Sequence, residues 1–379
     1  MTTMAIDNKD KKVLNVPHLR FPEFSGEWEN TELQYIAPNI CSGKDKPTSN
    51  GTVALYGSTG IIGMTRLASY NEEIVLVARV GANAGQLQIT TIPCGVTDNT
   101  LIINAKEWNR YIYYYLQHYN LNRLVFGSGQ PLITGSMLKK LKIIYGEESE
   151  RNKIVNLLCL LDERIATQNK IIEKLQSLIK GLSQQLLSSE NDWILYRLDD
   201  LAQIKSGYSG TQVSYQTPYK VSRIETISKH CIDIQRIGYV ECIPESYRLN
   251  VGNILFSNIN SIQYIGNTAY LDKDYGLYHG MNLLRIIPNT TIVRPRFLHL
   301  LLCTDWAINH FQTICNKAVS QASINQTALG KSRFPIPPMS VQQQICSMFE
   351  LTERKLDNEQ EYISCLQQQK RYLLQKMFI

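Results

Sequence analysis

Two stretches of the chain carry apolar side chains at alternating steps of four and three residues. In the first, Ile154, Leu158, Leu161, Ile165, Gln168, Ile172, Leu175, Ile179, Leu182 and Leu186 form one stripe; in the second, Ile345, Phe349, Thr352, Leu356, Glu359, Ile363, Leu366, Lys370, Leu373 and Met377 do the same. This is the a/d spacing of a coiled coil, in which each stripe buries itself against another helix. It predicts long helices over 147–190 and 339–379. Pro335, Pro337 and Pro338 prevent the second from extending backwards. Ser340-x-x-Gln343 at its start has the form of a capping box.

The two stripes are related by an offset of 191 residues, and the relation extends beyond them. Gln130 and Ile133 match Gln321 and Ile324, Leu138 and Lys140 match Leu329 and Lys331, and Ser149 matches Ser340. Further upstream, Trp28 followed by Leu33 resembles Trp193 followed by Leu198, each leading to a Ser-Gly pair at Ser42-Gly43 and Ser206-Gly207. The chain is therefore a tandem repeat of one globular head and one helix. Residues 1–15 are expected to form a disordered tail, 16–146 a first head and 191–338 a second.

Within the heads, strand-like apolar runs at 74–78, 101–103, 252–256 and 283–287 alternate with Gly and Asn loops. The segments 110–116 and 296–302 read as matching short helices. The fold class expected is α+β, with two mixed heads joined by two long antiparallel helices under a pseudo-twofold repeat. Forty helical residues make a rod of about 60 Å, which would hold the heads apart. Gln168 and Glu359 are equivalent by the offset, interrupt their stripes and fall near the midpoints. In an antiparallel pair they are expected to meet near the axis and favour one register.

Composition narrows the functional classes. Of 379 residues, 44% are apolar and 19% charged, and no apolar run approaches the roughly 18 residues of a membrane span. Nine cysteines without a C-x-x-C pair fit reduced intracellular thiols. No metal-site spacing is legible among the six histidines. The net charge of +6 is unevenly placed: residues 1–146 hold 14 Lys and Arg against 11 Asp and Glu, residues 191–338 hold 14 against 10, and the helical segments are close to neutral. A polyanionic partner would meet the heads.

Catalytic motifs are near misses. Gly330-Lys331-Ser332 lacks the first glycine of a phosphate loop, since Asn325 stands there. Gly127-Ser128-Gly129 lacks the third glycine of a dinucleotide fingerprint. Glu353-Arg354-Lys355 has the acid-x-Lys of a nuclease without a preceding Pro-Asp, and no N-P-P-Y or D-P-P-Y is present. The chain is expected to catalyse nothing by itself.

The stretch Val16 to Trp28, the segments 56–63, 77–85 and 96–99, and 334–338 followed by the helix opening Val341-Gln342-Gln343-Gln344-Ile345 resemble the DNA-specificity subunit of type I restriction-modification systems. Most relatives read Glu-Gln where Gln342 and Gln343 stand. The resemblance implies two target-recognition domains, each reading one half of a gapped target in double-stranded DNA. It also implies spacer helices that act as a ruler and dock two modification (methyltransferase) subunits, together with restriction/motor subunits. S-adenosylmethionine, ATP and Mg are expected on those partners and none in this chain, which is expected to be cytoplasmic and not membrane-bound.

Polar and basic loop residues are the candidates for DNA contact, because their side chains reach base edges and phosphates. In the first head these are Tyr56, Ser58, Thr59, Arg66, Arg79, Asn83, Ser128, Gln130 and Lys139. In the second they are Lys205, Tyr208, Arg223, Ser257, Asn258, Asn260, Gln263, Tyr264, Ser320, Gln321, Asn325 and Lys331. The recurrence of Gln130 as Gln321 and of Lys140 as Lys331 equally fits a requirement of the shared fold. Two other classes compete with a non-catalytic DNA reader: a stand-alone methyltransferase or nuclease, and a coiled-coil adaptor without specific DNA reading.

Overall fold

The computed structural model describes residues 15–124, 131–188, 193–228, 230–317 and 321–379. The expectation for residues 1–15 falls, apart from Asn15, outside them. The chain divides into two compact units. Unit 1 comprises residues up to Asn169 together with Glu361–Ile379, and unit 2 runs from Lys170 to Gln360. Both long helices contribute a part to each unit.

The helices span Glu148–Leu186 and Met339–Met377, each 39 residues, so the 191 offset holds at both ends. Every a/d position named above is buried or half-buried. In unit 1 the two helical segments are antiparallel neighbours, with Lys370 Nζ 2.6 Å from Asp162 Oδ1 and the Arg164 guanidinium 5.5 Å from the Tyr362 ring. The capping box expected at Ser340 and Gln343 does not form. Gln343 Nε2 donates forward to Ser347 Oγ at 3.0 Å, and the Pro338 carbonyl accepts the amides of Val341 and Gln342 instead. The adjacent Gln342 is the buried anchor. Its side chain accepts from Arg294 N and donates to the carbonyls of Ile292 and Pro337, which ties the helix start to the head.

Each head is closed at its base by an antiparallel two-stranded ladder. In unit 1, Glu29–Glu32 pairs with Lys142–Tyr145; in unit 2, Ile194–Arg197 pairs with Arg333–Ile336. A short helix follows each first strand, opening on the fully buried Leu33 or Leu198, whose amides donate to Leu141 O and Ser332 O at 2.8 and 2.9 Å. Those acceptors are themselves 191 residues apart.

Above the ladder stands an antiparallel four-stranded sheet of the same order in both units. In unit 1 it runs Cys41–Ser42, Thr100–Ile103, Val75–Ala78, Leu87–Ile89; in unit 2 it runs Ala202–Ser206, Leu284–Pro288, Ile254–Phe256, Thr268–Tyr270. The four apolar runs read from the sequence are the two central strands of these sheets. The matching helices are Asn109–Tyr119 and Pro295–Leu302. Gly43 and Gly207 sit where the first strand meets a neighbouring loop. A Cβ would lie 2.2 Å from Val96 O at the former and 1.8 Å from Gly280 O at the latter, so only glycine fits either place.

The units differ beyond that frame. Unit 1 adds a three-stranded sheet of Gly60–Thr65, Val53–Gly57 and Cys94–Val96. Unit 2 adds a four-stranded sheet of Gln212–Val213, Gly238–Val240, Tyr219–Val221 and Leu277–Tyr278, and a three-stranded one of Ile259–Asn260, Ala322–Ser323 and Asn316–Lys317.

Two features fasten unit 1 at its ends. Glu150, fully buried, accepts Arg20 Nε at 2.7 Å, Arg20 Nη2 at 2.8 Å and Trp28 Nε1 at 3.0 Å, which pins the segment preceding the first ladder strand. Phe378 is buried against Tyr111, Tyr115 and His118, and the Leu19 amide donates to Lys376 O at 2.8 Å. Burying a phenylalanine side chain contributes about 1.5–3 kcal/mol.

Candidate nucleic-acid interface

In unit 2 several candidates gather on one edge. The strand Ile259–Asn260 pairs with Ala322–Ser323, and Ile324 N donates to Asn258 O at 2.9 Å, which brings the 258–264 loop beside 321–325. Gln263, Tyr264 and Gln321 are exposed along this edge, while Asn258 and Asn260 are half-buried. Asn260 bridges the loop, donating to Ser257 Oγ at 3.1 Å and accepting from Ser261 N at 2.8 Å.

Unit 1 has the same construction with different side chains. Ile133 N donates to Arg79 O at 2.9 Å, so Arg79 occupies the place of Asn258. Both carry a buried polar atom, Arg79 Nε and Asn258 Oδ1, without a hydrogen-bond partner among the described residues. Asn83 is exposed in a 3₁₀ turn, Gly81–Asn83, directly after it. Ser58 and Thr59 form the turn of the hairpin joining Val53–Gly57 to Gly60–Thr65, and the exposed Arg66 donates to Ser49 O at 3.2 Å. Lys139 is half-buried in the last turn of Gly135–Lys139.

Other candidates sit where the fold already uses them. Tyr56 is buried in the head, its hydroxyl bonded to Thr91 Oγ1 and Thr91 N at 3.0 Å, so its ring cannot face a ligand. Ser257 is likewise buried. Asn325 caps the helix Gln326–Gly330 by accepting from Ala328 N at 2.7 Å, as Thr134 caps Gly135–Lys139. Lys140 and Lys331 both take the C-cap position of those helices, which explains their recurrence by fold. Arg223 pairs with Glu225 at 3.6 Å, Tyr208 packs edge-on against Tyr247 at 5.3 Å, and Lys205 is exposed. Gln168 is buried in unit 1, and Glu359 forms an ion pair with Lys355 in unit 2. Ser128, Gln130 and Ser320 lie outside the described residues.

Sequence reading passed over Arg285, which lies within the apolar run 283–287 yet is only 5% exposed. Its neighbour His279 is buried too, and burial holds its pKa down at about 4, so its imidazole is neutral at physiological pH. Among the described residues no group of three or more His, Cys, Asp or Glu could hold a metal ion, and no helix is long and apolar enough to cross a membrane.

The arrangement suits non-covalent recognition: the first head presents hydroxyl, amide and basic side chains beside its sheets, and the edge of the second presents amides and a phenol. Comparison with known proteins agrees with this duplication. A specificity subunit of the type I restriction enzyme MjaX from Methanocaldococcus jannaschii is 38% identical over 193 residues, covering 49% of this chain and 45% of that relative, so the match spans under half its length. A type I restriction enzyme specificity subunit of Haemophilus influenzae is 23% identical over 375 residues, covering 91% of this chain and 93% of the relative. Among solved structures, the S subunit of a type I restriction-modification system from M. genitalium shares the fold with a TM-score of 0.66 at 17% identity, over 96% of this chain and 99% of that one. The family model for the type I restriction modification DNA specificity domain matches twice, at residues 12–177 and 190–368, and the chain therefore belongs to that family.

Proposed function

We propose that this protein is the DNA-reading subunit of a type I restriction-modification complex, each head recognising one half of a bipartite, gapped target. The observation that carries this reading is the duplication: two family matches coincide with two heads built on the same ladder, sheet and helix at one offset. Two different edges on one frame suit two different half-sites. The exposed Thr59, Arg66 and Asn83 with the half-buried Ser58 of the first head, and Gln263, Tyr264 and Gln321 with Asn258 and Asn260 of the second, are its contact set. Arg79, Lys139, Lys205, Tyr208, Arg223 and Lys331 supply further contacts.

In this reading the paired helices form a coiled coil that sets the spacing and docks two modification subunits, with Gln168 and Glu359 fixing its register. Methyl transfer from S-adenosylmethionine, and ATP- and Mg-dependent cleavage, belong to partner subunits in the cytoplasm, and both activities require this chain. Methylome sequencing of cells with and without the gene tests the proposal. A gapped, two-part adenine-methylation motif should disappear on deletion. An unchanged methylome, or methylation and cleavage of DNA by the purified chain alone, would refute it.

A further inference from the structure

In the main sheet of unit 2, Arg285 lies directly across the ladder from Lys205 on one side and from Leu255 on the other. Side chains opposite one another in an antiparallel pair share a face, and like charges so placed repel. Here one of the two cations is also buried. Arg285 donates Nε to Asn253 Oδ1 at 2.8 Å and Nη1 to Ser246 O at 3.4 Å, and both acceptors are neutral. It makes no ion pair with any described carboxylate, while Nη2 makes no hydrogen bond to a described residue.

These groups line an open cavity of about 410 Å³, together with Ser206, Tyr247, Gln326 and His279. Among the described residues no carboxylate lines it. Gln326 donates Nε2 to Ile204 O, and the neutral imidazole of His279 adds no charge. Burial lowers the Arg285 pKa without removing its proton, and no carboxylate among the described residues pairs with it.

The fold does not demand this pair. In unit 1 the corresponding ladder positions are Ile102, opposite Cys41 and Leu76, and Ile102 belongs to an apolar cluster with Ile74 and Leu76. One frame thus accepts an aliphatic residue at a place where the other keeps a buried cation facing a second one. A planar guanidinium fork beside a lysine matches the oxygens of a phosphodiester, which accept several N–H donors at once.

We propose that the Lys205–Arg285 cavity of unit 2 seats a backbone phosphate of the DNA duplex, a contact that the first head lacks. It rests on the DNA-reading function above and adds to it a fixed anchor that positions the second head on its half-site.

The test is binding of the full chain to a random-sequence duplex across a salt series, comparing wild type with Lys205→Ala and Arg285→Ile. Lys205 is exposed, so its variant folds; Arg285→Ile copies the residue of unit 1 and is checked by thermal melting. Each variant should bind about 10- to 100-fold more weakly and lower the slope of log K against log salt by about 1, the loss of one phosphate contact. Two folded variants with wild-type affinity and slope would overturn the proposal. Inorganic phosphate titrated at fixed ionic strength examines the other source of the same chemistry. An Arg285-dependent rise in melting temperature, with the DNA slope unaltered, would assign the cavity to a free anion and overturn it too. If wild type itself shows no salt-dependent DNA binding, the DNA-reading function fails, and the phosphate seat falls with it.

Discussion

Replacing Glu150 by alanine should loosen unit 1 selectively. The carboxylate is fully buried and receives three N–H donors, two from Arg20 and one from Trp28, with the Arg20 side chain itself only 16% exposed. Breaking a buried ion pair by removing one partner costs about 3–5 kcal/mol, because the other charge stays behind. Arg20 keeps a hydrogen bond to Gly26 O at 2.6 Å, which softens the loss, whereas the Trp28 indole loses its acceptor, at about 1–3 kcal/mol. A net destabilisation of about 4 kcal/mol follows, equivalent to a fall of about 8–16 °C in the melting temperature of a unit this size. Val341, the counterpart of Glu150 by the offset, is half-buried without such a network, and Val341→Ala should cost about 1 kcal/mol. Hydrogen exchange during urea unfolding resolves the units, and Glu150→Ala should deprotect peptides from residues 15–28 first. The cycle Glu150→Ala, Arg20→Ala and the double variant should show a coupling of at least about 2 kcal/mol. Additive losses, or a Glu150→Ala effect below about 1 kcal/mol, would refute the reasoning.

Acid should weaken unit 2 through His279. Its imidazole titrates near 4 in the fold against an ordinary 6.5, so the stability is complete above pH 6.5, falls as the pH drops from there towards 4, and levels off below after a loss of about 3 kcal/mol. Urea midpoints between pH 7.5 and 4.5 should fall less steeply in His279→Asn, and an unaltered slope would contradict the assignment. Exchange of the segment between the ladder strands Glu29 and Tyr145 for that of a relative should change one half of the methylated motif and leave the other half and the gap intact; methylome sequencing reads the outcome.

The periodic features were legible before the fold was. Both long helices were legible from their stripes, because such a stripe must be kept wherever a helix is buried along its length; their observed bounds are 191 residues apart at both ends, whereas the expected 147–190 and 339–379 ran past the C-terminal ends at Leu186 and Met377. The central strands were legible because both of their faces are covered, giving unbroken apolar runs. The base ladders were not: Glu29–Glu32 carries no apolar alternation, and Pro335 reads as a helix stop although it stands in a two-stranded edge opposite Leu195. Residue type alone could not separate Tyr56 and Ser257, which are buried, from Thr59 and Gln263, which are exposed. The signal for Arg285 was present as a charge interrupting an apolar run, a position that loop composition does not mark.

The burial of Phe378 in unit 1 has a consequence for the order of synthesis. Leu366, Leu373, Leu374, Met377 and Phe378 belong to the same core as Leu33 and Val75, so the first head to leave the ribosome lacks part of its apolar interior until these residues follow. Unit 2 is continuous from Lys170 to Gln360 and can close on itself earlier. At about 5–20 residues per second, the stretch from Asn169 to Ile379 takes about 10–40 s to make. During that interval the nascent first head presents an unfinished apolar face, a substrate for chaperones, while the unit translated second completes its own core first.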